Sequence, residues 1–171
     1  MKRIVFATTF AVCLMTVVAP AWAQDCSNWN NSYLAGTYTM SGSGYVDPSR
    51  FLPGMGLPSG AVPMFWVGAF TLDGSGGGSG WVSSNAGGSQ LSTQLVGVKY
   101  SMQPDCSVQM SFSSKIKELG VTVGPIQRLM VVVPKPGTLE LELHMIVVGS
   151  GPGQPPGSQF DLGVAHRISR Q

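Results

Sequence analysis

Residues 106–113 read Cys-Ser-Val-Gln-Met-Ser-Phe-Ser, and apolar and polar side chains alternate along the whole stretch. Successive side chains of a β-strand point to opposite faces of its sheet, so this pattern predicts a strand with one buried and one solvated face. The same period recurs at 139–145, Leu-Glu-Leu-Glu-Leu-His-Met. Period-two burial in consecutive segments favours an antiparallel sheet around a shared apolar interior.

Two stretches nearer the N-terminus echo one another. Residues 36–44, Gly-Thr-Tyr-Thr-Met-Ser-Gly-Ser-Gly, match residues 68–76, Gly-Ala-Phe-Thr-Leu-Asp-Gly-Ser-Gly. In each copy a glycine, an aromatic residue and a long aliphatic residue lie two positions apart, and they therefore share one strand face. Two short copies are too few for a solenoid or a propeller. We interpret them as two strands that face the same core.

Glycine and proline punctuate the chain, with 23 Gly and 12 Pro among 171 residues, of which 11% are charged. The segments between these turn residues predict eight strands, at 33–41, 65–72, 79–85, 92–102, 106–113, 126–133, 138–148 and 159–169. Eight antiparallel strands can close on themselves and leave no exposed edge, so we predict an all-β fold with a single eight-stranded, up-and-down barrel. A two-sheet β-sandwich is the alternative. Residues 114–125 are predicted as a loop or one helical turn.

The chain has two histidines, one in each of its last two predicted strands. Residues 160–166 read Phe-Asp-Leu-Gly-Val-Ala-His, and we expect the larger side chains, and with them His166, to face the interior. His144 alternates with leucines and is expected to point outward with Glu140 and Glu142. The two histidines then lie on opposite sides of the sheet, so no shared metal site is predicted.

Residues 47–64 form a long connection that holds four prolines. It also carries Phe51, Leu52, Met55 and Leu57, which make it more apolar than a solvated loop. A long loop of this kind is either a functional lid over a binding site or a plug that packs across one end of the barrel, and the sequence supports both equally.

The N-terminus has the three parts of a secretory signal: Lys2 and Arg3, an uncharged apolar run over 4–18, and Ala-Trp-Ala at 21–23. Cleavage after Ala23 is predicted to leave residues 24–171 as one domain. The apolar run is shorter than the ~20 residues of a spanning helix, so we expect no membrane span after cleavage. The predicted location is the periplasm or the extracellular medium.

Cleavage would also change the charge and the cysteine count. Lys2 and Arg3 are lost, so Lys+Arg falls from 10 to 8 against Asp+Glu 8, and the mature chain is neutral. No basic field remains that would attract nucleic acid. Cys13 is lost as well, and Cys26 and Cys106 then have a single intramolecular pairing in an oxidising compartment. Two free thiols or an intermolecular bridge are the alternatives.

Several motifs occur together in the mature chain: Gly36-Thr-Tyr38-Thr, Gly68-Ala-Phe70-Thr-Leu72-Asp73-Gly74, Tyr100 with Pro104-Asp105-Cys106, and the closing Gly163-Val-Ala-His-Arg167. In this combination the chain resembles the small secreted bacterial barrel proteins of calycin and allene oxide cyclase-like type, most of which are uncharacterised. The resemblance implies an eight-stranded antiparallel barrel whose apolar interior can hold a small molecule. The catalytic residues of the plant cyclases have no counterparts here, and none is carried over.

Known catalytic patterns are missing from the sequence. No Gly-x-Ser-x-Gly lies between a strand and a helix, and the glycine-rich stretch at 76–80 is not followed by the Lys-Ser/Thr of a phosphate loop. Glu140 and Glu142 are better explained as an exposed charged strand face than as a hydrolytic pair. The sequence therefore predicts no catalytic residue, no cofactor and no metal, and it does not indicate an oligomeric state.

Apolar surface is the remaining clue to function. The candidate ligand contacts are Tyr38, Trp66, Phe70, Tyr100, Met110, Phe112, Met145 and His166, and Trp81 and Met102 are expected in the same interior. We infer a non-enzymatic exported barrel that binds a small hydrophobic molecule or a partner at the mouth formed by residues 47–64. An isomerase or cyclase with an apolar cavity and a structural envelope protein without a ligand are the alternatives. A cavity of at least ~300 Å³ would support the first two, whereas a solid interior would favour the third.

Overall fold

The computed structural model describes residues 26–52, 54–57, 59–134, 140–150 and 159–170. Within these residues eight strands form a closed barrel, in which each strand pairs with its neighbours in chain order and β8 pairs with β1. The strands are β1 (Gly36–Val46), β2 (Val62–Leu72), β3 (Gly77–Ala86), β4 (Ser89–Met102), β5 (Ser107–Ile116), β6 (Val121–Pro134), β7 (Leu141–Ser150) and β8 (Gln159–Ser169). The predicted barrel and its eight strands are confirmed, and the sandwich alternative is wrong.

All eight neighbouring pairs are antiparallel. The predicted signal peptide, residues 1–23, lies outside the described residues, so its cleavage stays a prediction. Two short helices accompany the strands, a 3₁₀ helix at Asn31–Leu34 and α1 at Pro48–Phe51. β5 runs on to Ile116, a turn occupies 117–120 and β6 begins at Val121, so the prediction of a loop or a helical turn over 114–125 is wrong outside this four-residue turn.

The echoed stretches are adjacent strands in register. Tyr38 of β1 lies opposite Phe70 of β2, and their stacked rings are 5.0 Å apart between centroids. Met40 lies opposite Gly68, whose missing side chain leaves room for the Met40 methyl group. All three large side chains are buried, which confirms that both copies face the same core.

Period-two burial holds along β5 and β7. Val108, Met110 and Phe112 are buried, while the serines and the glutamine between them face outward. Leu141 and Leu143 are buried in the same way. The interior predicted from this alternation is therefore the core of the barrel.

β8 has the opposite phase from the predicted one. Asp161 and Ala165 are fully buried, whereas Leu162 is 54% exposed and His166 lies on the outer wall. The reason is a close approach: Gly163 lies opposite Gly42 of β1, and a Cβ at either position would overlap the Trp66 indole. The interior at this point needs the small residues, and in a strand the neighbouring large ones must then face solvent.

Trp81 was expected in the interior and is instead 54% exposed. Gly80, the residue before it, lies on the inner face against Phe70, where a Cβ would come within 2.7 Å of the Phe70 Cβ. Since successive side chains of a strand alternate, the inward position of Gly80 places Trp81 outside.

The two ends of the barrel are closed differently. At the anchored end, formed by residues 26–35, 73–76 and 103–106, a disulfide joins Cys26 to Cys106, as the cysteine count predicted. The opposite end, the mouth, is bordered by residues 87–88 and 117–120 and is covered by α1 and by Leu52 and Leu57, which follow it. The functional candidates lie between these two ends.

Candidate functional site

A cavity of ≈ 90 Å³ lies inside the barrel below the mouth. Its wall is mainly apolar and includes Phe51 from α1, Trp66 from β2 and Phe112 from β5. The polar side chains in the wall are Ser84, Thr93, Ser114 and Arg128. A small, largely apolar space with a few polar groups is the usual character of a ligand site, although its volume is well below that of drug-sized sites.

An ion pair crosses the interior beside this cavity. Arg128 of β6 donates from both terminal nitrogens to the two carboxylate oxygens of Asp161 in β8, and the Nη2–Oδ2 distance is 3.1 Å. The side chains of Arg128 and Asp161 are 11% and 0% exposed. Two parallel charge-assisted bonds of this kind fix both side chains, and together they leave the interior without net charge.

Two aromatic rings flank the guanidinium group. Its central carbon is 5.2 Å from the Trp66 ring centroid and 5.8 Å from that of Phe112. A cation over an aromatic face is attracted by the ring's electron density, more strongly where water is excluded. Arg128 is thus held by a carboxylate and by two of the predicted ligand contacts.

Sequence reasoning missed the ion pair, although the position of one partner, Arg128, could have been predicted from the sequence. In β6, Ile126, Met130 and Val132 are buried at alternate positions, and Arg128 has the same phase. An arginine at an inward position of an apolar strand demands a buried acceptor, because an unpaired buried charge is very costly. The error in the phase of β8 hid Asp161, the acceptor.

The Trp66 indole packs closely against two glycines, and its N–H group has no hydrogen-bond partner in the described ranges of the chain. Its six-membered ring lies against Gly42 and Gly163. Among the described residues, Trp66 Nε1 is the one buried side-chain polar atom without a hydrogen-bond partner. An unmade hydrogen bond at a buried N–H costs about 1–3 kcal/mol, so an acceptor that reached Nε1 would be bound favourably.

The structure brings together five of the eight predicted ligand contacts. The cavity wall contains Trp66, Phe70, Met110, Phe112 and Met145. Met40 and Met64 also line the cavity, although neither was named as a candidate. With Met110 and Met145 they surround the space with flexible side chains that adapt to irregular shapes.

Tyr38 and Tyr100 are buried but belong to the anchored end. The Tyr38 hydroxyl donates to the Leu34 carbonyl oxygen at 2.8 Å, and the Tyr100 hydroxyl accepts from the Gly74 N–H at 2.8 Å. Burial raises the pKa of Tyr38 to about 12 and also raises the pKa of Tyr100. Both phenols are therefore protonated at neutral pH and act as structural hydrogen-bonding groups.

The prediction that His166 faces the interior is wrong. Its side chain is 52% exposed, with Nδ1 3.2 Å from Glu142 Oε1 on the outer wall. His144 lies on the same side, with Nε2 3.4 Å from Glu142 Oε2. Within the described residues, no group of three or more His, Cys, Asp and Glu side chains is arranged to hold a metal ion.

Residues 62–64 of the predicted 47–64 connection belong to β2, and the described residues before them pack across the mouth, as the interpretation as a plug requires. Leu52 is buried against Ile116 and Val123, and Leu57 packs against the same cluster. Phe51 reaches the cavity wall, whereas Met55 is exposed. Three of the four named apolar residues thus cover the mouth.

The first turn of this plug is capped by Asp47. The Asp47 carboxylate accepts hydrogen bonds from Ser49 Oγ at 2.7 Å and from the Ser49 N–H at 3.1 Å. These bonds, the first above all, hold the pKa of Asp47 below its usual range. An N-cap of this kind satisfies the otherwise unpaired donors of a helix start.

These features define a class: a closed eight-stranded antiparallel barrel with a small apolar cavity, a buried ion pair and a plugged mouth. None of the helices in the described part of the chain has the length and apolar character needed to span a membrane.

Comparison with known proteins adds no relative to this description. No protein-family model, no curated protein and no solved structure matches the chain. The resemblance to calycin and allene oxide cyclase-like barrels therefore stays a prediction, and the functional argument depends on the geometry of the site.

Proposed function

We propose that the protein is an exported, non-enzymatic barrel that binds one small, uncharged and mainly apolar molecule, which enters from the mouth. The observation that carries the proposal is the apolar cavity with the Arg128–Asp161 pair and the unpaired Trp66 N–H in its surroundings. The disulfide is compatible with a compartment outside the cytoplasm and supports export.

The balance of charge inside the barrel favours an uncharged ligand. Arg128 is neutralised by Asp161, so a carboxylate or ammonium group placed beside them would be a buried charge without a counter-ion. Such a charge is strongly unfavourable in a medium of low dielectric constant. A neutral carbonyl or hydroxyl oxygen avoids this cost and offers an acceptor to Trp66 Nε1.

The volume of the cavity limits the size of the ligand. At ≈ 90 Å³ it is smaller than the ~150 Å³ engineered cavity that takes up benzene, and it falls short of the ~300 Å³ that a drug-sized ligand needs. A short chain or a single ring is the largest group that rotation of Met40, Met64, Met110 and Met145 would admit. Trp66 Nε1 is covered by neighbouring atoms, so an acceptor reaches it only when these side chains move.

The chemistry of the wall supports binding rather than catalysis. Its hydroxyl groups, those of Ser84, Thr93 and Ser114, have no histidine near them, since both histidines lie on the outer wall. Nucleophilic catalysis needs a base within hydrogen-bond reach of the nucleophile. The small volume favours one further candidate, a structural envelope protein without a ligand.

The test compares two ligands of equal chain length, 1-hexanol and hexanoate, by the melting temperature of the exported protein. We expect 1-hexanol to raise the melting temperature in a concentration-dependent way, because a ligand of the folded state stabilises it by mass action. The dissociation constant of hexanoate is expected to be at least about tenfold higher than that of 1-hexanol, which corresponds to about 1.4 kcal/mol of binding free energy. Stabilisation by neither compound would favour the structural protein.

Two leucine variants on β5 locate the binding site. Ser114 lies on the cavity wall, and Ser114→Leu should fill the space and abolish the effect of 1-hexanol. Ser111 lies on the outer face of the same strand, and Ser111→Leu should retain the effect. Native mass spectrometry of protein purified from its own host then identifies any co-purifying neutral molecule.

A further inference from the structure

The outer wall of the barrel differs between its two sides. The outward side chains of β3, β4 and β5 are mainly polar, among them Ser83, Gln94, Lys99, Gln109 and Lys115. The outward side chains of β2, β6 and β8 are mainly apolar, and β1 and β7 between them add Tyr45 and Ile146. The exposed large apolar side chains on these strands are Phe65, Ile168, Tyr45, Val67, Leu162, Val131, Val133 and Ile146.

Strand register makes these apolar side chains one continuous face. Ile146 of β7 lies opposite Leu162 of β8, which lies opposite Ser43 of β1. Ser43 lies opposite Phe65 of β2, which is 63% exposed. Val67, two residues further along β2, extends the face along the strands. The apolar wall, as we call this face, thus covers the three adjacent strands β8, β1 and β2, with Ile146 of β7 at its edge.

The apolar wall has a groove between two ridges. Between Thr39 and Ser43 the outward side chains of β1 are short, while its neighbours present the larger Phe65 and Leu162, and the exposed Tyr45 closes the groove at one end. Neighbouring strands are about 4.8 Å apart, so the ridges are separated by about 10 Å, the width of one ridge of side chains.

This shape is complementary to itself. In a dimer with a two-fold axis, both copies use the same patch for the interface. If residue i of one copy contacts residue j of the second, then residue j of the first copy contacts residue i of the second. The Phe65 ridge of each copy then fits the β1 groove of the other. A ridge beside a groove of equal width is what such an isologous contact requires.

The charge on the apolar wall is also compatible with a second copy. The outward positions 39–45 of β1, 63–69 of β2 and 162–166 of β8 include no Lys, Arg, Asp or Glu, and His166 and Glu142 lie at the border. Two copies of a charged surface repel each other, and this electrostatic repulsion is absent between two copies of the apolar wall.

The area of the wall reaches the lower limit for a specific dimer. Three strands span about 10 Å and four outward residues about 20 Å, so with side-chain margins of about 4 Å on each side the wall covers about 500 Å². Two copies would bury about 1,000 Å² in total, at the threshold of a specific interface and below the ~1,600 Å² of a standard one. This size indicates a dimer that forms reversibly with concentration.

We propose that the apolar wall is the interface of a homodimer of this chain, in which each copy packs its β2 ridge into the β1 groove of the other. The dimer leaves the mouth of each barrel free, because the interface lies on the side of the barrel. It is therefore independent of the proposed ligand site.

Sedimentation velocity of the exported protein between about 1 µM and 1 mM tests this interface, since weak specific complexes dissociate in that range. The wild type should shift from monomer to dimer, and Phe65→Ser should raise the dissociation constant at least about tenfold. Leu162→Ser, on the other ridge, should have the same effect and provides a second test if Phe65→Ser fails to fold. Met55→Ser removes an exposed apolar side chain at the mouth and should leave association unchanged.

Three outcomes would overturn the proposal. The first is a wild type that stays monomeric up to 1 mM. The second is a dimer with the same dissociation constant in folded Phe65→Ser and Leu162→Ser variants. The third is a monomeric wild type that binds neutral phosphatidylcholine vesicles through Phe65, because the wall would then be a lipid-facing surface.

Discussion

The anchored end and the mouth of the barrel are closed by different kinds of interaction. At the anchored end the Cys26–Cys106 disulfide closes 80 residues of chain, and Asn31 accepts a hydrogen bond from the Met102 N–H at 2.9 Å. The mouth is covered by one turn of helix and by apolar contacts of Leu52 with Ile116 and Val123. A covalent bond and buried hydrogen bonds hold one end, and a small satellite cluster covers the other.

Because of this difference, the interactions that keep the barrel folded are not the same as those that cover the cavity. Parts of a protein with few buried contacts open locally at a lower free-energy cost than the core does. The plug can therefore leave the cavity while the anchored end keeps the barrel closed, which is the behaviour that a binding barrel needs. Four changes, from the largest expected effect to the smallest, test whether the two ends behave independently.

Removal of the disulfide should have the largest effect. Cys106→Ser opens a loop of 80 residues, and the chain-entropy model assigns its closure about 4 kcal/mol of folding free energy. We expect a lower melting temperature by circular dichroism with the β-sheet signal retained at room temperature. Cys26→Ser is the matched control and should lose the same amount, since either change breaks the same bond. Unequal losses would show that one cysteine matters for another reason.

Breaking the Arg128–Asp161 ion pair, which lies inside the barrel between the two ends, should lower the free energy of unfolding nearly as much. Arg128→Met removes the guanidinium group that binds both oxygens of the fully buried Asp161 carboxylate, and removal of one partner of a buried pair destabilises by about 3 kcal/mol or more. The double variant Arg128→Met/Asp161→Leu should recover most of this loss, because a buried pair and an apolar replacement of similar volume are often equivalent. Chemical denaturation of both variants measures the difference. A double variant no more stable than the single one would contradict this account.

The sequence predicted the barrel because its signals are local. Alternation at 106–113 and 139–145 and the echo of Tyr38 and Phe70 are visible within single segments, and each set is buried as expected. The cysteine pairing followed from a count, and the Cys26–Cys106 bond is formed. These features need no knowledge of which strands meet.

The errors arose where a distant contact decides the phase of a strand. Gly163 faces inward because Trp66, almost a hundred residues earlier, occupies the space beside it, and this turns Leu162 and His166 outward. Trp81 is outside for the same kind of reason, since Gly80 packs against Phe70. Side-chain size alone gave the opposite answer in both strands. The phase of β6, with Ile126 and Met130 inward, was sufficient to find Arg128.

Truncation of a plug side chain at the mouth should lower the free energy of unfolding less than either change above. It should change the rate at which a ligand enters the cavity more. Leu52→Ala removes a buried side chain, for which about 2 kcal/mol is the lower end of measured losses, and the small cluster around it can relax. We expect faster uptake of 1-hexanol, measured by stopped-flow tryptophan fluorescence, with the melting temperature lowered less than in Cys106→Ser. Met55→Ala, at an exposed position of the same connection, should change neither. Unchanged uptake in Leu52→Ala would show that the ligand does not enter here.

Acid should release the mouth before it affects the anchored end. Hydrogen bonds from Ser49 lower the pKa of Asp47, so the capping stabilisation is present above the ordinary carboxyl pKa of about 4 and is lost as the pH falls through the lower folded value. Hydrogen bonds also lower the pKa of Asp73, through the Gly77 N–H, and that of Asp105, through Ser107, at the anchored end. Those turns lose their bonds in the same range, but the disulfide still restrains them.

Limited digestion with pepsin between about pH 2 and pH 4 should therefore cut first near Phe51 and Leu52, more rapidly as the pH falls through the range in which carboxyl groups titrate. Asp47→Asn keeps an oxygen that can cap α1 but does not titrate, so this variant should lose the pH dependence of that cut. Early cleavage within residues 26–35 would reverse the assignment of the two ends. A cut near Phe51 that depends on pH equally in Asp47→Asn would assign the opening to another group, because Asp47 is the carboxylate that caps the plug.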